Sequence, residues 1–141
     1  MNRRSNDTLY FTDELIQKVL ERQPLRVWDY ANLCFPKVTN EKQFDCAFKF
    51  LSELEKKGVM SNSEVRHIFE TPQEQVMLMS HVMPKLQKFG LVEPEANGTA
   101  RKYSLRFGRK FSHLFRDLGL DWLVYYARHT NERNQLEGNT Q

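Results

Sequence analysis

The stretch from Thr71 to Phe107 changes its hydrophobic period once, and that change constrains the fold more than any other feature of the chain. Val76, Met79, Val82, Met83 and Leu86 fall at helical spacing, and Gly90 stops that pattern. Leu91-Val92 then reads as a short strand. Asn97-Gly98 is a strong turn dipeptide, and Lys102 to Phe107 alternates with Tyr103, Leu105 and Phe107 on one face. A long helix must therefore feed a β-hairpin over 91–107 with a loop of several residues. Pro84 lies inside the helical pattern, so a kink or break is expected near Ser80 to Met83.

The rest of the chain is helical in period. Leu15, Ile16, Val19 and Leu20 mark a first helix, with Thr12 as its N-cap and Pro24 after its end. A second covers Val27 to Cys34 and stops before Pro36. Phe44, Ala47, Phe48, Leu51 and Leu54 mark a long amphipathic helix from Glu41 to Lys57, capped by Asn40 or Thr39 and ended by Gly58. Ser61 with Glu64, and Thr71 with Glu74, have capping-box spacing. Leu54 to Val59 faintly echoes Leu86 to Leu91. Phe111, Leu114, Phe115 and Leu118 begin a further helix. Gly119-Leu120 reads as a stop before a last helix, 122–129, although a single bent helix through both segments is the alternative. The expected fold class is mainly α, with one β-hairpin and extra N- and C-terminal helices. The expected layout is a flexible tail 1–10, a domain 11–129 and a flexible tail 130–141. Within that domain lie a core 41–107, an N-terminal helical extension 11–35 and C-terminal helices 109–129.

Length and composition exclude several classes. A chain of 141 residues has room for one compact domain or two very small ones, and 40% hydrophobic with 28% charged residues describes a globular protein. The apolar runs are too short for a membrane span. Met1 to Asp7 is polar, with no apolar segment behind it that would make a secretory signal. Cys34 and Cys46 fit buried free thiols, which points to a reducing, intracellular (cytoplasmic) compartment. The chain has no Gly-rich phosphate loop, no Gly-x-Ser-x-Gly, no His-Glu-x-x-His and no Cys-x-x-Cys, so no enzyme activity and no cofactor are expected. His67, His81, His113 and His129 lack metal-ligand spacing, and no metal is expected.

Charge gives the positive signal. The net charge is +3, yet 101–116 holds Arg101, Lys102, Arg106, Arg109, Lys110 and Arg116 with no acid among them. That is the local positive field of phosphate contact.

The helix, the turn and the basic strand, carried by Leu86, Gly90, Leu91, Val92, Asn97, Gly98, Arg101, Lys102 and Tyr103, resemble the end of a winged helix-turn-helix domain. The resemblance is to the winged-helix superfamily of DNA-binding proteins, which includes small bacterial and archaeal regulators of the multiple-antibiotic-resistance-regulator type. It implies a recognition helix in the major groove and a wing on the backbone or minor groove. Two frames compete. In one, 12–22, 27–35 and 41–57 are the three helices, and Val59 to Phe69 is the wing hairpin. In the other, 41–57 is the scaffold helix, Val59-Met60 a short strand, 62–70 and 72–89 the helix-turn-helix, and 91–107 the wing. The acids Glu41, Asp45, Glu53 and Glu55 on 41–57 favour the second frame for DNA contact.

On that frame Gln73, Gln75, Ser80, His81 and Lys85 contact the groove, with Gln87 also able to donate. Arg101 and Lys102 hold the wing, and Arg106, Arg109 and Lys110 anchor phosphates. The expected function is double-stranded DNA binding by a dimeric transcriptional regulator. Leu118, Leu120, Trp122, Leu123, Tyr125 and Tyr126 are more apolar surface than one helix face can bury, and they are expected at the dimer interface. A winged-helix adaptor in a replication, segregation or transcription assembly, meeting a protein partner through the C-terminal helices, is the alternative. Single-strand binding through Tyr103 and Phe107 requires those rings exposed, whereas the alternation predicts them buried.

Overall fold

The computed structural model describes residues 7–99 and 102–138, and side chains are described for 7–95 and 104–130. The chain divides into two compact units, 1–108 and 109–141. The first unit runs α1 (Asp13–Leu20), α2 (Val27–Cys34), α3 (Glu41–Lys57), β1 (Val59–Ser61), α4 (Asn62–Arg66), α5 (Pro72–Met77), a π-helical turn (Leu78–Val82), α6 (Met83–Lys88), β2 (Val92–Thr99) and β3 (Lys102–Phe107). The second contains α7 (Lys110–Gly138). The fold is thus mainly α with a small antiparallel sheet that includes a β-hairpin wing.

Local chemistry explains the boundaries. The Thr12 hydroxyl accepts from the Leu15 amide at 3.1 Å and starts α1. Asp29 does the same service for α2 by accepting from the Arg26 amide at 2.8 Å. Ser61 and Glu64 form a complete capping box. At Thr71 the box is half formed: the Glu74 amide donates to the Thr71 hydroxyl, which in turn donates to the Glu74 carboxylate. Asn40 precedes α3 without a capping side-chain bond. Gly58 and Gly90 both have φ of 77°, the left-handed turn that ends a helix. After Gly90 the Leu91 amide closes back to the Leu86 carbonyl at 2.9 Å. The echo between 54–59 and 86–91 is therefore the same device used twice: a helix stop that launches a strand.

Pro84 is absorbed without breaking the helix. The Met83 amide reaches the Leu78 carbonyl five residues back, so one extra residue is inserted into the turn ahead of the proline. The apolar face shifts accordingly. Leu78, Val82, Met83 and Leu86 are buried, whereas Val76 and Met79, expected on that face, are 59% and 44% exposed.

The sheet order is β1-β3-β2. Met60 pairs with Leu105, and Leu105 with Pro94 on the other side. Pro94 can sit there because β2 is an edge strand, where a missing N–H costs least. Strand β2 runs on to Thr99, so Asn97-Gly98, expected as the turn, lies within the strand, with a register irregularity between Ala96 and Thr99. Met60, Val92 and Leu105 cover the helical layer of Phe44, Phe50, Leu54, Leu78 and Leu86. At the hairpin base a Cβ on Gly108 would stand 2.4 Å from the Gly90 carbonyl oxygen, so only glycine fits.

This topology removes the wing hairpin of the first frame. Residues 62–66 form α4, not a wing hairpin, and β1 pairs with β3. Three boundaries are also corrected. Residues 7–10 are not a free tail: Leu9 packs on the core and the Tyr10 amide donates to the Leu33 carbonyl at 2.8 Å. Gly119 does not stop the C-terminal helix, since one interior glycine costs only about 1 kcal/mol. That helix continues through 130–138, where a flexible tail was expected, and 109–129 stands outside the first unit.

Candidate nucleic-acid interface

The face of α5 and α6 turned to solvent carries Gln73, Val76, Ser80, Pro84 and Gln87, spaced three or four residues apart, with Lys88 beside Gln87. Beside it, Asn62 and Arg66 of α4 and Met79, Pro84 and Gln87 border a shallow groove of ≈ 160 Å³. Of the groove contacts expected from the sequence, Gln73 and Ser80 lie on this face and are exposed. His81 is half-buried. Gln75 turns inward, and its side-chain carbonyl oxygen is buried without a hydrogen-bond partner among the described residues.

Lys85 is the clearest correction. It is 0% exposed. Its ammonium donates to the Cys34 carbonyl at 2.5 Å and lies 5.0 Å from the ring centres of both Tyr10 and Phe35. Cys34 is the last residue of α2, whose terminal carbonyls have no partner within the helix. Lys85 satisfies one of them, opposes the negative end of the α2 dipole and gains from the two ring faces. Burial holds its pKa below the ordinary lysine value. Lys85 joins α6 to α2 and cannot touch a nucleic acid in this fold.

Arg106 is the second correction. Cross-strand pairing sets it opposite Glu93, whose carboxylate accepts from Nη2 at 2.8 Å and Nε at 2.9 Å; Glu95 lies 3.7 Å from Nη1. The cation is balanced inside the hairpin. The tip expectations, Arg101 and the side chains of Lys102 and Tyr103, lie outside what the structure describes. Phe107, expected to be buried with Leu105, is 45% exposed. Arg109 and Lys110 are exposed at the start of the second unit.

Lys88 and Arg66 were missed. Lys88 is exposed on α6 and forms an ion pair with Asp7. The helical spacing from Pro84 carried the signal for Lys88, and α4 carried it for Arg66 once β1 separated that helix from α3.

Elsewhere in the unit the titratable groups are structural. Burial pushes Asp29 upward, but the Arg26 amide and the Lys18 ammonium together outweigh it and leave the carboxyl below its usual range. Burial pushes the Cys34 and Cys46 thiols up to about 12, so neither is a ready nucleophile. Among the described residues no cluster of His, Cys, Asp and Glu could hold a metal ion. No helix among them is long and apolar enough to cross a membrane.

On α7 the expected interface residues Leu118, Leu120, Trp122, Leu123, Tyr125 and Tyr126 are all exposed. Trp122 stacks on Tyr125 at 5.7 Å, and Tyr125 on His129 at 4.1 Å. Comparison with known proteins found no protein-family model, no curated relative and no solved structure that matches the chain.

Proposed function

We propose that the chain is a double-stranded DNA-binding protein of winged-helix type, acting as a homodimer and a transcriptional regulator. The observation that carries this reading is the element order α3-β1-α4-α5-α6-β2-β3 with β3 central in the sheet. It leaves Gln73, Ser80, Gln87 and Lys88 exposed along the α5–α6 helix, interrupted by Val76, next to a hairpin whose tip sequence is basic. One helix fills a major groove, and a hairpin beside it reaches the flanking backbone. The proposed contacts are Gln73, Ser80, Gln87 and Lys88 from the helix and Arg101 and Lys102 from the wing, with Arg109 and Lys110 as further phosphate partners. Lys85 leaves the set because it is fully buried, and Arg106 because two carboxylates, Glu93 and Glu95, flank it.

A protein-adaptor role is the second reading. Val76 and Met79 favour it, since two exposed apolar side chains on the helix face suit a protein surface better than phosphates.

Fluorescence anisotropy against a labelled mixed-sequence duplex, over a salt series, separates the two. DNA binding predicts affinity that falls steeply with salt, and R101A/K102A should flatten that slope by roughly one unit per lost phosphate contact. R106A should leave the slope unchanged. Unchanged affinity in the R101A/K102A variant sinks the wing assignment. Absence of binding at about 50 mM salt, where non-specific contact is strong, transfers the face to a protein partner.

A further inference from the structure

Within α7, Phe111, Phe115, Leu118, Trp122, Tyr125 and His129 recur at alternating spacings of four and three residues. That is the seam of a helix pair, with Phe115, Trp122 and His129 at position a and Leu118 and Tyr125 at position d. Rings along the seam already meet within the helix: Phe111 is tilted against Phe115, and Trp122, Tyr125 and His129 stack in turn. The flank preceding a carries Asp121 and Arg128, seven residues and two turns apart. Neither has an ion-pair partner among the described residues. On the other flank sits Gly119, with nothing within 4 Å of where a Cβ would stand, and Tyr126 seven residues on.

We propose that α7 pairs antiparallel with α7 of a second copy of this chain. The proposal deepens the homodimer part of the reading above and does not depend on DNA binding. Seam and flanks agree on one register. Trp122 packs against Tyr125 of the second copy, and Leu118 against its His129. In that register Asp121 meets the second copy's Arg128, and two-fold symmetry repeats the ion pair. Tyr126 lies over the second copy's Gly119, whose missing side chain leaves room for the ring. A parallel pair sets Asp121 beside Tyr126 instead and gives the carboxylate no cation, so charge complementarity selects the antiparallel arrangement. The area is adequate as well. Half-exposed side chains of this size release roughly 100 Å² each, and the seam with its flanks brings the total towards the ~800 Å² per partner of a standard interface. Leu120, Leu123 and Val124 lie off this seam, which narrows the expected interface to Leu118, Trp122, Tyr125 and Tyr126.

Sedimentation velocity of the full chain, without DNA, tests it. The wild type should sediment as a dimer. D121R should weaken the dimer at least about tenfold, because it opposes two arginines twice over, and D121R/R128D should restore it. L120E should leave the dimer intact. Orientation is read separately with cysteine variants, each a single surface substitution on a helix that circular dichroism can check. Mixed L118C and H129C chains should form a disulfide-linked heterodimer, whereas L118C alone should not cross-link. A monomeric wild type, or self-linked L118C as the main product, overturns the proposal. Dimerisation without DNA binding, or DNA binding by a monomer, tells which of the two readings fails.

Discussion

The two units spend their apolar residues in opposite ways. Phe50 in α3 is 0% exposed, held among helices and sheet, while Trp122 in α7 is 61% exposed. In the first unit the stripes of α2, α3 and α6 have facing surfaces within the chain, α2 against α3, α3 against the π turn and β1, and α6 against β2; the stripe of α1 is the exception, with Ile16, Val19 and Leu20 exposed. Helix α7 carries a comparable density of large side chains on 111–126 with little of it covered. A helix apolar on more than one side normally ends up enclosed. The comparison teaches that composition alone does not tell a core from an interface; what separates them is whether the chain supplies the opposing face.

The largest effect should come from testing that separation directly. Phe50→Ala removes a fully buried ring and should cost about 3–5 kcal/mol in chemical unfolding of the first unit. Leu120→Ala, off the proposed seam, should change the same transition by less than about 0.5 kcal/mol. Equal losses at the two positions would mean that α7 belongs to the folding core.

Lys85 gives the next largest effect and sharpens the comparison from within the first unit. Removing its ammonium leaves the Cys34 carbonyl buried and unpaired, and truncation adds a cavity. Lys85→Ala should therefore lower stability by about 2–4 kcal/mol. Lys85→Met, which fills the space but still leaves the carbonyl unpaired, should lose less because it opens no cavity. A lysine that served DNA contact would show the reverse pattern, with stability unchanged and affinity lost.

These positions also show what could be read in advance. The caps at Thr12 and Ser61, the stops at Gly58 and Gly90 and the hairpin all depend on residues within a few positions of one another, and all were legible. Lys85 was less so, although Leu78, seven residues before it, and Val82, three before it, place it on the buried arc of a helical wheel. Its partner, the Cys34 carbonyl, lies 51 residues away. Arg106 looked unpaired in a window without acids because Glu93 and Glu95 come from the neighbouring strand. Gly119 read as a stop because glycine commonly ends helices, with one helix through both segments as the alternative; the helix runs through it.

The smallest net effect is on pH dependence, because the buried thiols and Lys85 contribute terms of opposite sign. Burial pushes both thiols from 9.0 up to about 12 in the folded chain. Between those values the unfolded chain has lost protons that the folded chain keeps. The thiols' contribution is thus complete below pH 9 and declines above it, by up to about 1.4 kcal/mol per pH unit for each thiol. Lys85 acts in the other direction. Burial holds its folded pKa below 10.5, so the unfolded chain binds the extra proton and stability rises with pH until the unfolded lysine titrates at 10.5. Between pH 9 and 10.5 the two terms partly cancel in the wild type. Lys85→Met removes the opposing term, and its stability, followed by denaturant midpoint at fixed ionic strength, should fall more steeply above pH 9 than the wild type's. Parallel pH profiles for the two proteins would mean that Lys85 is as readily protonated in the folded chain as in the unfolded one, and that the α2–α6 junction is wet rather than sealed.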